Sequence, residues 1–373
     1  MVAITSEQPE HAAHQQAISQ RACPGWLQDI AALNRLNHGE RAAAGDTVEH
    51  LLSQLRNNNV HIRLAAIRSL GHVARNGDFH VVRELLGQSI ASSGFGVQDK
   101  ASEVRALAAE AVGKIAADTG DRLVCDKMLD MIDDKDWAVR SSALKSLSKV
   151  CSRADDWVVD ELLAKMMGSE SWSAKALCAE GLGNLCTRGA GHVVNALIEM
   201  SRHDDWAVRK ACLIALGKIA QQGDQLVLRA IVQSSQDADW RVRKAAVQAL
   251  GQVAERGCRF SINEILLRLD DTAVGERHSK LDVINHDDRD VKLAAIKVLE
   301  KLAEPGDHHV LAALDSTAQR IAGDSVLLAA IVRATTVISH ESLIPRLGDF
   351  SGTESSSSTD SSPECVSRGS LAE

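Results

Sequence analysis

The chain has 373 residues, 45% of them hydrophobic and only 3% aromatic, with no tyrosine, which is enough apolar material for a long core and excludes a globally disordered polymer. A formal charge of −8 argues against bulk nucleic-acid binding, though a local basic face stays compatible with it. No apolar run approaches the roughly 18–20 residues that span a bilayer, so no membrane partner is expected.

Ala, Leu, Val and Ile carry the apolar content, which favours helix over strand. From Met1 to Gln20 there is no apolar h-region. Glu7 and Glu10 precede the first arginine, Arg21, and no secretory or transit peptide is read. Residues 1–23 are expected to be disordered. The eight cysteines, Cys23, Cys125, Cys151, Cys178, Cys186, Cys212, Cys258 and Cys365, form no C-x-x-C pair. Several fall at core positions of helices and are expected as reduced thiols, in a cytoplasmic or nuclear setting.

A repeated frame then runs through the chain. It starts at Ile62-Arg63 with Leu70-Gly71, and recurs at Val104-Arg105 with Val112-Gly113. Asp136-Trp137-Ala138-Val139-Arg140 gives a fuller version. Trp172–Leu185 is a degenerate copy. Asp205-Trp206-Ala207-Val208-Arg209 and Asp239-Trp240-Arg241-Val242-Arg243 lie 34 residues apart. Val291-Lys292 with Leu299, and Val326 with Ala329-Ala330, continue the frame, so about eight units are present. Short turns such as Arg75-Asn76-Gly77-Asp78 and Gln222-Gly223-Asp224 follow most units, where Gly closes one helix and Asp caps the next. A second apolar-periodic stretch comes after the turn, for example Val158 to Met167 or Val193 to Met200. Each period therefore holds two helices of about 12–15 residues.

This pattern, from Thr47 to Leu347, resembles the HEAT-repeat family, in the short-repeat form of phycobilisome lyases. The expected fold is all-α, a right-handed α-solenoid of about eight helical hairpins over residues 24–348. The resemblance implies that the second helix of each hairpin lines the concave face and that the array binds other macromolecules. Extra residues around Ser92–Val97 and Thr272–His286 are expected as loops on one edge. The Ser-rich, acidic stretch 349–373 is expected to be disordered.

Rotation by about 100° per residue along the sixth inner helix puts Val242, Ala245, Ala246, Ala249, Leu250 and Val253 on the buried arc, and Arg241, Lys244, Gln248 and Gln252 on the open one. Open positions of other units are often basic: Arg68, Lys114, Lys145, Lys149, Lys210, Lys218, Lys297 and Lys301. Opposing acids are few: Glu103, Glu110, Glu180 and Asp290. Trp137, Trp172, Trp206 and Trp240 start four consecutive inner helices, behind Asp136, Asp205 and Asp239 as N-caps. Arg140, Lys175, Arg209 and Arg243, three residues after each Trp, are expected to bond turn acids between units. The candidate partner groove is Lys145, Lys149, Trp206, Lys210, Lys218, Trp240, Arg241, Lys244, Lys297 and Lys301. Its expected partner is another protein, met through an acidic segment. The competing reading is that these lysines only solvate Ala-rich helices.

Catalytic signatures are missing. No H-E-x-x-H, Walker A or G-x-S-x-G occurs. Deoxyhypusine hydroxylase, of similar architecture, holds two irons with repeated His-Glu pairs. Here His340-Glu341 stands alone, and His308-His309 follows a turn. No catalytic residue, metal or cofactor is expected. The enzyme-linked alternatives are a bilin (chromophore) lyase subunit and a HEAT-like nucleic-acid enzyme of the DNA-glycosylase kind. The charge and the absence of Tyr weigh against the second.

Overall fold

The computed structural model describes residues 44–87, 96–151, 155–270, 286–321 and 323–340. The expectations for 1–23 and 349–373, and most of both insertions, lie outside them. Among the described residues there are 16 α-helices and no strand. They alternate between two rows. One row is α1 (Ala44–Gln54), α3 (Phe79–Leu85), α5 (Arg122–Met131), α7 (Asp156–Gly168), α9 (Gly191–Met200), α11 (Gln225–Ser234), α13 (Arg259–Leu267) and α15 (His308–Arg320). The other is α2 (Val60–Val73), α4 (Ser102–Ile115), α6 (Trp137–Val150), α8 (Trp172–Leu185), α10 (Trp206–Ile219), α12 (Trp240–Val253), α14 (His286–Leu302) and α16 (Ser325–His340). Each odd helix packs on the even helix that follows it, which makes eight hairpins in an all-α solenoid.

The even helices pack on one another along the stack, closely everywhere except between α6 and α8, whereas odd helices meet their row neighbours at few points. A stack with one tight and one splayed row bends toward the tight row, so the even helices form the inner face. The tightness has a cause in the sequence. A Cβ on Gly183 of α8 would stand 2.8 Å from Ala215 Cα of α10, and one on Gly113 of α4 would stand 2.7 Å from Ser146 Cα of α6. Glycine in mid-helix costs about 1 kcal/mol against Ala; here it lets backbones approach. The core is one continuous cluster running from Leu51 to Ile338, as expected when each unit can bury its stripe only on its neighbours.

Two features fix the turns. Asp78, Asp121, Asp224 and Asp307 each accept N–H bonds from the first turn of an outer helix. Before each cap, the turn crosses to the next unit: the amides of Gly77, Gly189, Gly223, Gly257 and Gly306 donate to Ile115, Ile219, Val253, Leu302 and Ile338 carbonyls at 2.7–2.9 Å. These glycines have φ between 75° and 87°, which L side chains adopt only with strain. The turn thereby satisfies the orphan carbonyls of the neighbouring inner helix. The six inner helices from α2 to α12 are 14 residues long, as the period required. Outer helices α3, α5, α9, α11 and α13 are shorter than expected, at 7 to 10 residues. The turns and their caps take up the rest of each period.

Candidate functional site

An arginine three residues into each inner helix, where present, locks successive units. Arg105 Nη1 donates to the carbonyls of Asp99 and Lys100 (2.9 and 3.1 Å), closing its own turn. Its Nε and Nη2 donate to both oxygens of Asp134, in the next turn, at 2.9 Å each. Asp134 in turn accepts the Asp136 amide at 2.8 Å. Arg63 with Asp99 and Arg209 with Asp237 repeat the arrangement. The expected ladder is therefore present, but not at every rung. Arg140 reaches the Ser173 hydroxyl at 3.0 Å instead of an acid, and its Nε has no partner among the described residues. Lys175 makes no bond to a turn acid among the described residues. His203 stands where three other turns carry Asp99, Asp134 and Asp237, accepting the Asp205 amide on Nδ1. Arg243 closes its own turn on the Asp237 and Ala238 carbonyls.

That ladder has a pH signature. Burial opposes ionisation of Asp134, but the Arg105 fork and the Asp136 amide outweigh it and hold the carboxyl below its usual range. Asp239 and Asp324 are likewise lowered: burial again opposes, and Arg241 or Arg289 with the helix-cap amides prevails. A carboxyl lowered in the native state contributes stability that is complete above the unfolded value of about 3.9, and lost as pH falls through the native value. The thermal midpoint is therefore expected to hold from about pH 7 to 5 and to fall below about pH 4. Asp134→Asn is expected to start lower and fall less. Circular dichroism melts against pH check this, and parallel curves for the two proteins would contradict it.

The unit where the ladder lapses also lines a hollow on the inner face. A groove of about 450 Å³ is lined by Trp137, Trp172, Ser173, Ala176, Leu177, Glu180, Trp206, Ala207, Lys210, Ala211, Ile214 and Lys218. Asp136, Ser171 and Asp205 cap the helices that start with these tryptophans, so each indole is held at the rim of a helix N-terminus. Trp137 is 62% exposed and Trp172 52% exposed. Trp206 is half-buried, with the Arg241 guanidinium 3.7 Å from its ring centre and Lys210 Nζ at 6.0 Å. Below this row the floor is apolar, because α8 carries Ala176 where α10 and α12 have Lys210 and Lys244, and α10 carries Ile214 where α6 has Lys145 and α12 has Gln248.

Of the expected groove residues, the structure brings Trp206, Lys210 and Lys218 together in this hollow. Lys145 and Lys149 are exposed on α6, outside its lining. Trp240 lies one unit on, with Arg241 and Lys244 at 5.7 and 5.8 Å from its ring. Lys297 and Lys301 line a second, smaller hollow with Glu300, Arg333 and Val337. The continuous basic stripe expected from the helical wheel is interrupted. Arg241 is ion-paired with its own N-cap Asp239 at 2.8 Å, and Lys244 with Asp290 of α14 at 2.5 Å. Lys301 donates to the Gly251 carbonyl at 2.5 Å and Lys218 to Asn184 at 2.7 Å. Lys114 pairs with Glu110, and α8 offers Glu180 and Asn184 in place of cations. The wheel places residues on a face but does not say which acids the next helix brings there. Trp137 and Trp172 were left out of the expected groove, and the signal for them was the loss of Lys at Ala176 and Ile214.

Among the described residues no group of three or more His, Cys, Asp or Glu converges as a metal site, and no helix is long and apolar enough to cross a membrane. His308 and His309 are exposed, and Glu341 lies outside the described residues.

No curated protein matches the chain. Among solved structures, the X-ray structure of the Escherichia coli protein YibA aligns at 17% identity and a TM-score of 0.48, covering 85% of this chain and 98% of that one. Human deoxyhypusine hydroxylase in complex with glycerol aligns at 14% identity and a TM-score of 0.31, covering 80% and 98%. At these values neither bears on what this chain does. Family models for HEAT repeats match residues 124–154 and 159–251. Those segments hold the tryptophan-started helices just described, and the units on either side continue the same register; the chain carries HEAT repeats over residues 124–154 and 159–251.

Proposed function

We propose that the protein is a non-enzymatic scaffold that binds a short segment of another protein across α6, α8 and α10. The observation that carries this reading is the pair Trp137 and Trp172, each more than half exposed over one apolar hollow. Large aromatics held on rigid helices beside an apolar floor are what binding hot spots are made of. The occupant best suited is a segment with apolar or aromatic side chains for the floor and acidic residues for the rim. Lys210 lies on that rim, and Lys145 and Lys149 stand nearby on α6. Charge of this kind speeds encounter and sets orientation more than it adds affinity.

Selection from a random displayed-peptide library tests it. Binders are expected to be rich in aromatic and apolar residues flanked by Asp or Glu. The Trp137→Ala/Trp172→Ala variant is expected to weaken them by at least about 30-fold, roughly 2 kcal/mol, with an unchanged melting curve. Lys145→Glu with Lys210→Glu is expected to weaken binding less, and mainly at low salt. Full affinity for the double-Trp variant would move the binding surface elsewhere.

A further inference from the structure

We propose that Cys125 and Cys151 are a redox-responsive dithiol that closes to an intramolecular disulfide on meeting a small-molecule disulfide such as oxidised glutathione. The inference stands apart from the binding reading and rests on different residues. Cys125 lies in α5 and Cys151 is the C-cap of α6. They are 26 residues apart in sequence, yet their sulfurs are 2.8 Å apart. The S–S bond is about 2.05 Å long, so closure asks for less than an ångström of sulfur movement. Both residues are buried, at 0% and 4% exposure, so neither belongs to a scattered set of surface thiols.

The two sulfurs are not equivalent, and this gives the exchange an order. A hydrogen bond from the Cys125 thiol stabilises a thiolate on Cys151, and outweighs the burial that opposes it. Cys125 is pushed far upward, first by that same hydrogen bond and then by burial. Among the described residues Cys212 and Cys186 lack such a partner: burial alone raises Cys212 to about 12 and Cys186 to about 11. Cys178 also reaches about 12, with burial the main cause. Cys151 sits where α6 ends, so opening of one helical turn exposes it. Its thiolate attacks one sulfur of the oxidant and expels one glutathione thiolate, leaving a mixed disulfide. Cys125 then attacks the Cys151 sulfur, its proton passes to solvent, and the second glutathione leaves. Two protein thiols are oxidised and one glutathione disulfide is reduced to two thiols. The product ties α5 to the end of the helix that begins with Trp137.

The test uses the full chain in buffers of increasing oxidised-to-reduced glutathione ratio, quenched with acid, alkylated after denaturation and mapped by mass spectrometry. Expected are the loss of two hydrogens from the intact mass and a Cys125–Cys151 linked peptide, with Cys178 and Cys212 still alkylated. The thermal midpoint is expected to rise by several degrees and to return with reductant. Cys125→Ser, which has no resolving thiol, is expected to retain one glutathione on Cys151. If this variant does not fold, the wild-type map still decides. The proposal is overturned if both thiols stay free in the native protein at oxidising ratios, if either pairs with another cysteine, or if the link forms only after unfolding with urea.

Discussion

Replacing Arg105 by Ala is expected to destabilise the junction between the second and third hairpins by about 3–5 kcal/mol, the usual cost of breaking a buried ion pair from one side. The side chain makes four hydrogen bonds, two to carbonyls of its own turn and two to Asp134 in the next. The arginine side chain is 9% exposed and that of Asp134 15%, so water replaces little of what is lost. Asp134 keeps only the Asp136 amide, with a buried charge unpaired. In a stack where each unit touches its neighbours, the damage should stay local. Hydrogen exchange is expected to rise in α4, α5 and α6 and to stay unchanged in α12 and α14. Arg140→Ala is the internal control. Arg140 reaches a hydroxyl rather than a carboxylate, so its loss is expected to cost about 1–2 kcal/mol. Equal losses for the two variants would mean that the acid partner contributes nothing.

Replacing Gly183 by Val is expected to destabilise by about 1–3 kcal/mol, the range for overpacking a dense contact. Helix propensity alone predicts a small gain, so the sign of the effect decides which term wins. The added Cβ would lie 2.8 Å from Ala215 Cα and 2.9 Å from Ala215 Cβ. Backbone cannot rotate away as the tip of a long side chain can. The strain is relieved only if α8 and α10 move apart, and that also separates Trp172 from Trp206 across the groove. Loss of groove binding is therefore expected alongside a lower urea midpoint. Gly191, at the first position of α9, has nothing within 4 Å of an added Cβ, and Gly191→Ala is expected to be neutral or slightly stabilising. A neutral Gly183→Val would show that the inner row is more loosely packed than described.

The sequence by itself determined the local events. Eight units, the inner helix starting at each repeated Trp, the Asp N-caps and the arcs that face the core were legible because each depends on residues within about four positions of one another. The tightness of the inner row was not legible. The repeated Leu-Gly pairs read as a frame marker, and only the approach of Ala215 or Ser146 from the next unit shows what the glycines allow. The candidate site divided in the same way. Which residues point off the buried arc followed from rotation along one helix. Which lysines remain available did not, because Asp290 reaches Lys244 from a separate helix 46 residues on. Likewise Cys125 and Cys151 read as two buried thiols among eight, and only the packing of α5 on α6 brings their sulfurs together. Helical periodicity fixes a direction within one element, whereas charge neutralisation and close approach depend on side chains that stacking brings in from its neighbours.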